Sequence, residues 1–376
     1  MILIFSSGIS LVAEEYTPDI TLNTKSAVLM EPSTGKVLFE QNANERLAIA
    51  SVTKVMTILL IFEALEDGRI KLEDVVTVSE HASNMGGSQV FLETNERQTV
   101  LDLLKSIVIA SANDAAVAMA EFVAGSEESF VSMMNKKAAD LGMKNSSFKN
   151  ACGLDTDGHF SSAYDVALMT MALVNNYPQI YEYSGIWMDT ITHKTARGED
   201  EFGLTNTNKL IKWYNGATGL KTGSTSSALF CLSGTAKRDG LELIGVVLGS
   251  PTGPIRFQET MKMLDYGFAN FKTKHGEPAG TLVGTVPVEK GKKDEVDVVV
   301  KNLIGTVIPK GNNADLEVQV FIKDSLKAPV LKGDKAGEIV YSFNNSEIGR
   351  SELIVLEDVP EAGMVDIINK LKGLWF

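Results

Sequence analysis

Cysteine and histidine are scarce in this sequence, which argues against a metal centre. Only two of the 376 residues are cysteine, and four are histidine. The histidines are widely spaced along the chain: His81, His159, His193 and His275. Because zinc sites need closely spaced Cys or His ligands, we expect no metal site, and no motif calls for a cofactor. Cys152 and Cys231 are expected to be small buried or partly buried residues, with a disulfide as the alternative outside the cytoplasm.

Positive charge and long apolar runs are also in short supply. The chain has 35 lysines and arginines against 48 aspartates and glutamates, which gives a net charge of −13 at neutral pH. Nucleic-acid binding needs clustered lysine and arginine, so we do not expect it. The uncharged apolar run at residues 1–13 is shorter than the roughly 20 residues that a membrane-spanning helix requires.

The two ends of the chain carry information about location. Residues 1–21 resemble the tail of a secretory signal peptide that lacks its cationic start, and an ordinary N-terminal strand is the alternative. Residues 361–376 predict an amphipathic helix, which could lie in a membrane interface or pack against the preceding domain. Its apolar residues fall on one helical face: Met364, Ile367, Ile368, Leu371, Leu374 and Trp375.

The pattern between the two ends predicts two domains. Residues 22–274 mix long helical runs with glycine-bounded strand runs, which predicts an α+β fold with an antiparallel sheet covered by helices. In residues 275–360 short apolar alternations separated by turns predict a small all-β domain. The clearest predicted strands in the two parts are 228–234, 241–248, 296–300, 316–322 and 353–355.

A Ser-x-x-Lys motif at Ser51 and Lys54 is the first candidate for chemistry. Residues three apart are neighbours on a helix surface, so the lysine could draw off the proton of the serine hydroxyl. The same spacing occurs at Ser33 and Ser146. Ser33 is predicted at the tip of a β-hairpin, and Ser146 in a polar surface loop. Only Ser51 opens a long apolar helix, although a simple N-cap role is the alternative for it.

Two further motifs follow in the chain. Ser111 and Asn113 form a Ser-x-Asn motif at the start of an alanine-rich helix, and Lys221-Thr222-Gly223 precedes Ser224 and a strand-like run. Each has a structural alternative, a helix cap for Ser111 and a turn leading into a strand for Lys-Thr-Gly. A second Ser-x-Asn, at Ser342, lies in a segment without catalytic character.

The three motifs together make the chain resemble the serine penicillin-recognising enzymes. It is most similar to the low-molecular-mass penicillin-binding proteins, the serine-type D-alanyl-D-alanine carboxypeptidases. Segments 26–48, 86–92, 150–165 and 219–223 support this resemblance, which covers roughly residues 22–360. It implies an exported enzyme at the cell wall or membrane that acts on peptidoglycan pentapeptides and is inhibited by β-lactams. Many members carry an amphipathic C-terminal anchor, which favours the membrane interpretation of the last helix.

Acyl transfer assigns a role to each residue of the first two motifs. Ser51 attacks the carbonyl of the penultimate D-alanine, and Lys54 takes its proton. A lysine with an ordinary pKa of about 10.4 is charged at neutral pH, so the pKa of Lys54 must be lowered by burial or by a second cation. Lys221 is the candidate cation. Ser111 relays a proton to the leaving amine, and Asn113 donates to a substrate amide carbonyl.

The resemblance assigns the remaining binding roles. Thr222 and Ser224, with Gly223 between them, hold the terminal carboxylate of the substrate, and the backbone amides of Ser51 and Ser224 form the oxyanion hole. Arg256 is expected to help fix the carboxylate, with a solvated helix-start arginine as the alternative. Some members carry a histidine where Ser224 stands, so a side-chain role at that position is in doubt.

The absence of one motif separates peptidase from β-lactamase. Class A β-lactamases place a glutamate, within Glu-x-x-x-Asn, between the second and third motifs to activate the deacylating water. No such motif lies between Asn113 and Lys221. We therefore predict a carboxypeptidase on which penicillin persists as a slowly hydrolysed adduct. A wall-binding module that has lost turnover, and a β-lactamase or D-amino-acid esterase, are the alternative functions.

Overall fold

The computed structural model describes residues 20–195, 198–312 and 314–373. The predicted leader, residues 1–21, therefore lies almost entirely outside the described residues. Ten α-helices are present in the part of the chain that is described: α1 (Lys54–Glu66), α2 (Glu80–Ser83), α3 (Val100–Lys105), α4 (Asn113–Ala124), α5 (Glu127–Asp140), α6 (Ala163–Asn176), α7 (Ile180–Ser184), α8 (Leu210–Trp213), α9 (Gly253–Asn270) and α10 (Met364–Gly373).

The first nine strands lie between residues 26 and 250. They are β1 (Ser26–Glu31), β2 (Lys36–Gln41), β3 (Val75–Thr77), β4 (Arg97–Thr99), β5 (Met188–Thr195), β6 (Gly198–Thr205), β7 (Ala217–Thr225), β8 (Leu229–Arg238) and β9 (Leu241–Ser250). Five of them form one antiparallel sheet in the order β2-β1-β9-β8-β7. Ser33 lies in the hairpin turn between β1 and β2, and Ser146 lies in a loop, as predicted.

Helices cover both faces of this sheet, so the predicted α+β architecture is confirmed. One apolar core joins one sheet face to α1, α4 and α6, and a second core joins the other face to α9. Helix α1 is apolar on all sides and buried along almost its whole length, because other helices and the sheet surround it. Lys54 is the first residue of this helix and is fully buried. The fold therefore places the amine of Lys54 inside the protein, away from solvent.

The remaining strands form the predicted all-β part. They are β10 (Phe271–His275), β11 (Leu282–Glu289), β12 (Glu295–Val300), β13 (Gly305–Pro309), β14 (Glu317–Ile322), β15 (Leu326–Lys327), β16 (Lys335–Phe343) and β17 (Ser346–Val355). Six of them form a sheet in the order β14-β16-β17-β12-β11-β15 around a valine-rich core, and β10 pairs with β13. The alternation did not reveal β10, β11, β13, β15 or β16. The domain boundary at residue 275 falls at the last residue of β10 and stays a prediction.

The C-terminal helix α10 exposes apolar side chains at its start. Met364 is 81% exposed, Val365 70%, Ile367 49% and Ile368 46%. Among the helices that the structure describes, none combines the length and the apolar character needed to cross a bilayer.

Candidate active site

The Ser-x-x-Lys motif forms a 3-10 turn followed by a helix. The turn covers Ala50–Thr53, and α1 begins at Lys54, so Ser51 lies one turn earlier than the helix that it was predicted to open. The Nζ atom of Lys54 lies 3.0 Å from Oγ of Ser51. This is the hydrogen-bond contact that a nucleophile and its base require.

Two other hydrogen-bond acceptors contact the amine of Lys54. Its Nζ donates to Oδ1 of Asn113 at 2.5 Å and to the carbonyl oxygen of Cys152 at 2.8 Å. Nδ2 of Asn113 donates to the carbonyl oxygen of Gly86 at 2.6 Å, which turns Oδ1 toward the lysine. A neutral amine has two N–H donors and one lone pair. The two fixed acceptors take both N–H groups, so the lone pair of a neutral Lys54 faces the hydroxyl of Ser51.

Burial is the main reason why Lys54 can lose its proton. Desolvation lowers the pKa of Lys54 to about 8, and this effect outweighs the raising effects of Cys152 and Asp114. The pKa of Lys221 is lowered well below its ordinary value, first by burial and then by the charges of Lys54 and Arg256. Of the two causes that we expected for the lowered pKa of Lys54, burial or a second cation, burial is therefore the dominant one. Lys221 is itself a buried amine that burial disfavours as a cation.

Ser111 and Asn113 lie where a π-helical turn meets α4. The turn covers Ser106–Ala110, Ser111 follows it in the left-handed region with φ 64°, and α4 begins at Asn113. Both side chains are buried. A left-handed conformation is costly for a residue with a Cβ, and such strain concentrates at functional sites. The structure thus brings Asn113 into contact with Lys54, while Ser111 lies two residues away in the chain.

The loop at residues 86–92 is fastened to the start of α4. The backbone amide of Asn113 donates to the carbonyl oxygen of Ser88 at 2.7 Å. The next residue, Asp114, is fully buried, and its carboxylate accepts from the backbone amides of Val90 and Leu92 at 3.1–3.3 Å. Asn113 and Asp114 therefore bind backbone groups at alternate positions of this loop, at residues 88, 90 and 92. Asp114 was not identified from the sequence, although its place beside the Ser-x-Asn motif was the available signal.

The Lys-Thr-Gly motif lies within β7, the edge strand of the five-stranded sheet, and is not a turn. A Cβ atom added to Gly223 would lie 2.7 Å from the carbonyl oxygen of Ile49 and 2.9 Å from the amide nitrogen of Ser51. Only glycine allows the strand to approach the Ser51 turn this closely. The strand thus brings the backbone around Ser224 beside the amide of Ser51.

The side chains of β7 alternate between its two faces, with Lys221 and Gly223 on one and Thr222 and Ser224 on the other. Thr222 is buried, and its hydroxyl donates to Oγ1 of Thr207 at 2.7 Å. Ser224 is exposed. Sequence reasoning missed Thr207, because no motif links it to the strand that it contacts.

Arg256 lies under β7 and is not solvated. It is 9% exposed, and its Nη1 donates to the carbonyl oxygens of Gly223 at 3.1 Å and Cys231 at 3.3 Å. Its guanidinium also lies 4.6 Å from the ring centre of Phe257. Desolvation lowers the pKa of Arg256 to about 10. The alternative of a solvated helix-start arginine is wrong, and the described hydrogen bonds of its guanidinium are with strand backbone.

A segment that follows α5 packs against the 3-10 turn that carries Ser51. Gly153 has φ +87°, and a side chain there would overlap the carbonyl oxygen of Ala50. Nε2 of His159 lies 2.8 Å from Oγ1 of Thr53, and Nδ1 accepts from the backbone amide of Lys149 at 3.2 Å. Because Nδ1 accepts, the ring donates through Nε2 to the threonine. Burial lowers the pKa of His159 to about 4, so the ring stays neutral.

The cysteines and the candidate metal-ligating side chains can be described from the structure. Cys152 and Cys231 are both buried, and both thiols are free. Over residues 20–195, 198–312 and 314–373, no group of three or more His, Cys, Asp or Glu side chains is arranged to hold a metal ion.

Comparison with known proteins agrees with the geometry. A family model described as D-alanyl-D-alanine carboxypeptidase matches residues 12–252, and one for the C-terminal domain of penicillin-binding protein 5 matches residues 271–361. The chain is 44% identical to D-alanyl-D-alanine carboxypeptidase DacF of Bacillus subtilis (strain 168), over 96% of this chain and 92% of that protein. It is 37% identical to DacC of Escherichia coli (strain K12), over 93% of this chain and 88% of that protein.

A solved structure shows the same architecture. Penicillin-binding protein 5 from Haemophilus influenzae matches with a TM-score of 0.72 and 32% identity, covering 92% of this chain and 99% of that chain. The family match, the two relatives and this structure all agree with the resemblance carried by the three motifs. The chain belongs to the serine-type D-alanyl-D-alanine carboxypeptidases of peptidase family S11, the low-molecular-mass penicillin-binding proteins.

Proposed function

We propose that Ser51 removes the terminal D-alanine from peptidoglycan stem pentapeptides through an acyl-enzyme, with Lys54 as its base. The single observation that carries this proposal is the contact set of Lys54. Its Nζ lies 3.0 Å from Oγ of Ser51, while Asn113 and Cys152 take its other hydrogen bonds. A buried lysine with two fixed acceptors is poised to receive one proton, and the serine hydroxyl is the donor within reach.

The first half-reaction forms one bond and breaks another. Oγ of Ser51 bonds to the carbonyl carbon of the penultimate D-alanine while its proton passes to Lys54. The C–N bond to the terminal D-alanine then breaks, and the leaving amine takes the proton, through Ser111 in our proposal. The backbone amides of Ser51 and Ser224 stabilise the oxyanion, an assignment supported by the close approach of Gly223 to the amide of Ser51.

A local positive charge suits a substrate that ends in a carboxylate. The chain as a whole carries a net charge of −13, yet the guanidinium of Arg256, whose pKa is about 10, is buried under β7 and stays charged at neutral pH. A free terminal carboxylate entering beside Thr222 and Ser224 gains favourable electrostatic interaction with it, because a partly buried site screens charge poorly. We propose that Arg256 contributes through its charge and through the strand backbone that it holds.

The second half-reaction returns the free enzyme. Lys54 takes a proton from the attacking water as the water oxygen bonds to the acyl carbon, and the ester bond to Oγ of Ser51 then breaks as Lys54 passes that proton to the serine. β-Lactams acylate the same hydroxyl, but their cleaved ring stays attached and blocks the approach of water. The absence of a Glu-x-x-x-Asn motif between Asn113 and Lys221 supports slow release of penicillin.

Release of D-alanine from a pentapeptide ending in D-Ala-D-Ala tests the proposal. The wild type should release it, Ser51→Ala should not, and Ser33→Ala should match the wild type because Ser33 lies in the β1–β2 hairpin turn. Intact-mass measurement should show one penicillin adduct on the peptide that contains Ser51. Penicillin binding without D-alanine release would identify a non-catalytic wall module, and rapid penicillin turnover would identify a β-lactamase.

We also propose that the protein is exported and rests on a membrane surface through α10. Peptidoglycan lies outside the cytoplasmic membrane, and the signal-like residues 1–21 agree with export. Four apolar residues near the start of α10 are exposed, as expected for a helix that lies in an interface. Sedimentation with anionic vesicles should pull down the full chain but not a chain that ends at residue 361. Equal sedimentation of both chains would exclude this role for α10.

A further inference from the structure

Phe91 is the most exposed aromatic residue in the described part of the chain. Its side chain is 66% exposed, and its backbone is in the left-handed region with φ 60°. Its neighbours Val90 and Leu92 are both buried. Their amides are held by the carboxylate of Asp114. The buried carboxylate of Asp114 thus stabilises a strained turn, and in this turn the ring of Phe91 is exposed to solvent.

The ring of Phe91 borders a cavity shared with the β5–β6 hairpin. It contacts Phe202 edge-to-face at 5.9 Å between ring centres, and Phe202 contacts His193 in the same way at 5.5 Å. His193 is fixed by the buried carboxylate of Glu96, with Nδ1 and Oε1 2.7 Å apart. The cavity has a volume of about 330 Å³. It therefore has aromatic walls that other side chains hold in place.

Three of the described residues that line this cavity are acidic. Glu93, Glu199 and Asp200 line it together with Phe91, His193 and Phe202. Asp200 stands opposite His193 in the β5–β6 ladder, and Lys194 lies 4.0 Å from Glu199. Aromatic rings accept a hydrocarbon chain and attract a cation at their faces, while carboxylates pair with an ammonium group. The complementary ligand has an apolar body and a positive end.

Two hydrogen bonds join residues of the catalytic groove to the chain segments that carry Phe91 and Phe202. Ser88, whose carbonyl oxygen binds the amide of Asn113, precedes Phe91 by three residues, which span at most about 11 Å. On the other side, Thr207 contacts Thr222 and follows Phe202 by five residues, at most about 18 Å. A peptide that extends away from the scissile bond covers about 7–11 Å in two to three residues. An upstream residue of the substrate therefore comes within reach of the cavity.

We propose that Phe91 is a specificity-determining residue and that this cavity takes the side chain of a stem-peptide residue upstream of the two D-alanines. The side chain selected there has a hydrocarbon stem and a terminal ammonium group. The inference rests on the proposed carboxypeptidase function, because the substrate brings that side chain to the rim. Asp114 acts as a positioning residue, since it holds the loop that presents Phe91.

A pair of matched peptides tests the inference. Acetyl-L-Lys-D-Ala-D-Ala with a free ε-amine is compared with the same peptide acetylated at that amine, by D-alanine release. The wild type should favour the free amine by up to about fivefold in kcat/KM at low salt. Phe91→Ala should lower kcat/KM for the free-amine peptide about tenfold. Asp200→Asn should remove the preference between the two peptides.

Controls separate a specificity role from a structural one. Phe321→Ala removes another exposed aromatic, on β14, and should leave both peptides unaffected. The rate of acylation by penicillin, which has no upstream residue of this kind, should be unchanged in Phe91→Ala. A Phe91→Ala enzyme that keeps wild-type kcat/KM for both peptides, or that loses penicillin acylation equally, would overturn the inference. No D-alanine release from either peptide by the wild type would instead overturn the proposed function.

Discussion

Asn113 and Lys54 are 59 residues apart in the chain and are joined by a 2.5 Å hydrogen bond from Nζ to Oδ1. This contact links the Ser-x-Asn motif to the Ser-x-x-Lys motif. It also occupies one of the two N–H groups of a neutral lysine, with the carbonyl oxygen of Cys152 taking the other. The lone pair needed for catalysis is therefore directed by two residues that do not react.

The rate of acylation should rise with pH through the pKa of Lys54. Only the neutral amine accepts the proton of Ser51, and burial lowers this pKa to about 8 against the raising effects of Cys152 and Asp114. At pH 7 the rate constant should be about one tenth of its plateau above pH 9. Stopped-flow acylation by a fluorescent penicillin measures it. A flat profile between pH 6 and 9 would contradict the role of Lys54.

Replacing Lys54 tests the same role directly. Lys54→Met should reduce the acylation rate constant by about 10²–10⁴, the usual contribution of general base catalysis. Lys149→Met, in the Ser-x-x-Lys spacing that begins at Ser146 in the loop, is the matched control and should acylate normally.

Asp114→Asn should shift the pH profile downward. The carboxylate of Asp114 raises the pKa of Lys54, so its neutralisation lowers that pKa and moves the midpoint of acylation to lower pH. The amide also presents one oxygen in place of two to the amides of Val90 and Leu92. Glu121→Gln, in the last turn of the same helix, should leave the midpoint unchanged. A midpoint that moves upward in Asp114→Asn would exclude this electrostatic link.

Gly153→Ala should damage the catalytic turn more than its backbone conformation alone explains. Gly153 and Gly142 both have positive φ, at +87° and +74°, but only at Gly153 would a Cβ meet other atoms, the first being the carbonyl oxygen of Ala50. We expect Gly142→Ala to cost about 1–2 kcal/mol in free energy of unfolding. Gly153→Ala should cost more and should also slow acylation. Urea unfolding and penicillin acylation of both variants measure the difference, and equal effects would refute the contact.

Arg256→Met should lower the free energy of unfolding by about 2 kcal/mol. The methionine keeps an apolar contact with Phe257 but leaves the buried carbonyl oxygens of Gly223 and Cys231 without this donor. Lys262→Met, on the exposed side of the same helix, should change stability little. Urea denaturation compares them, and equal stabilities would show that Arg256 does not support the strand.

The local elements were largely predictable from the chain. The apolar residues between Val55 and Leu65 recur so regularly that α1 could be predicted, and glycine-bounded alternation revealed β8 and β9. In the all-β part, the alternation of apolar and polar residues predicted fewer of the strands. β16 has buried residues at consecutive positions and β11 has a register shift, so neither shows a clean two-residue period.

The residues of the site were easier to predict than the physical reason for the lowered pKa of Lys54. Ser51, Lys54 and Asn113 were all identified from motif spacing, and the structure brings them into contact. Burial and a second cation stayed open as causes of the lowered pKa of Lys54, because motif spacing says nothing about how deeply an amine is buried. Thr207 and Asp114 were missed, since neither belongs to a motif.

The amino-acid sequence by itself determined the family, the order of the three motifs and the helix that carries the amine, because these depend on residue type and local spacing. Only the tertiary structure decided the lowered pKa of Lys54, the buried position of Arg256 and the exposure of Phe91. Burial and hydrogen-bond direction arise from segments 59–226 residues apart in the chain that pack together, as Lys54 with Asn113 and Ser250 with Thr24 show. Desolvation is a property of that packing, and no short motif encodes it.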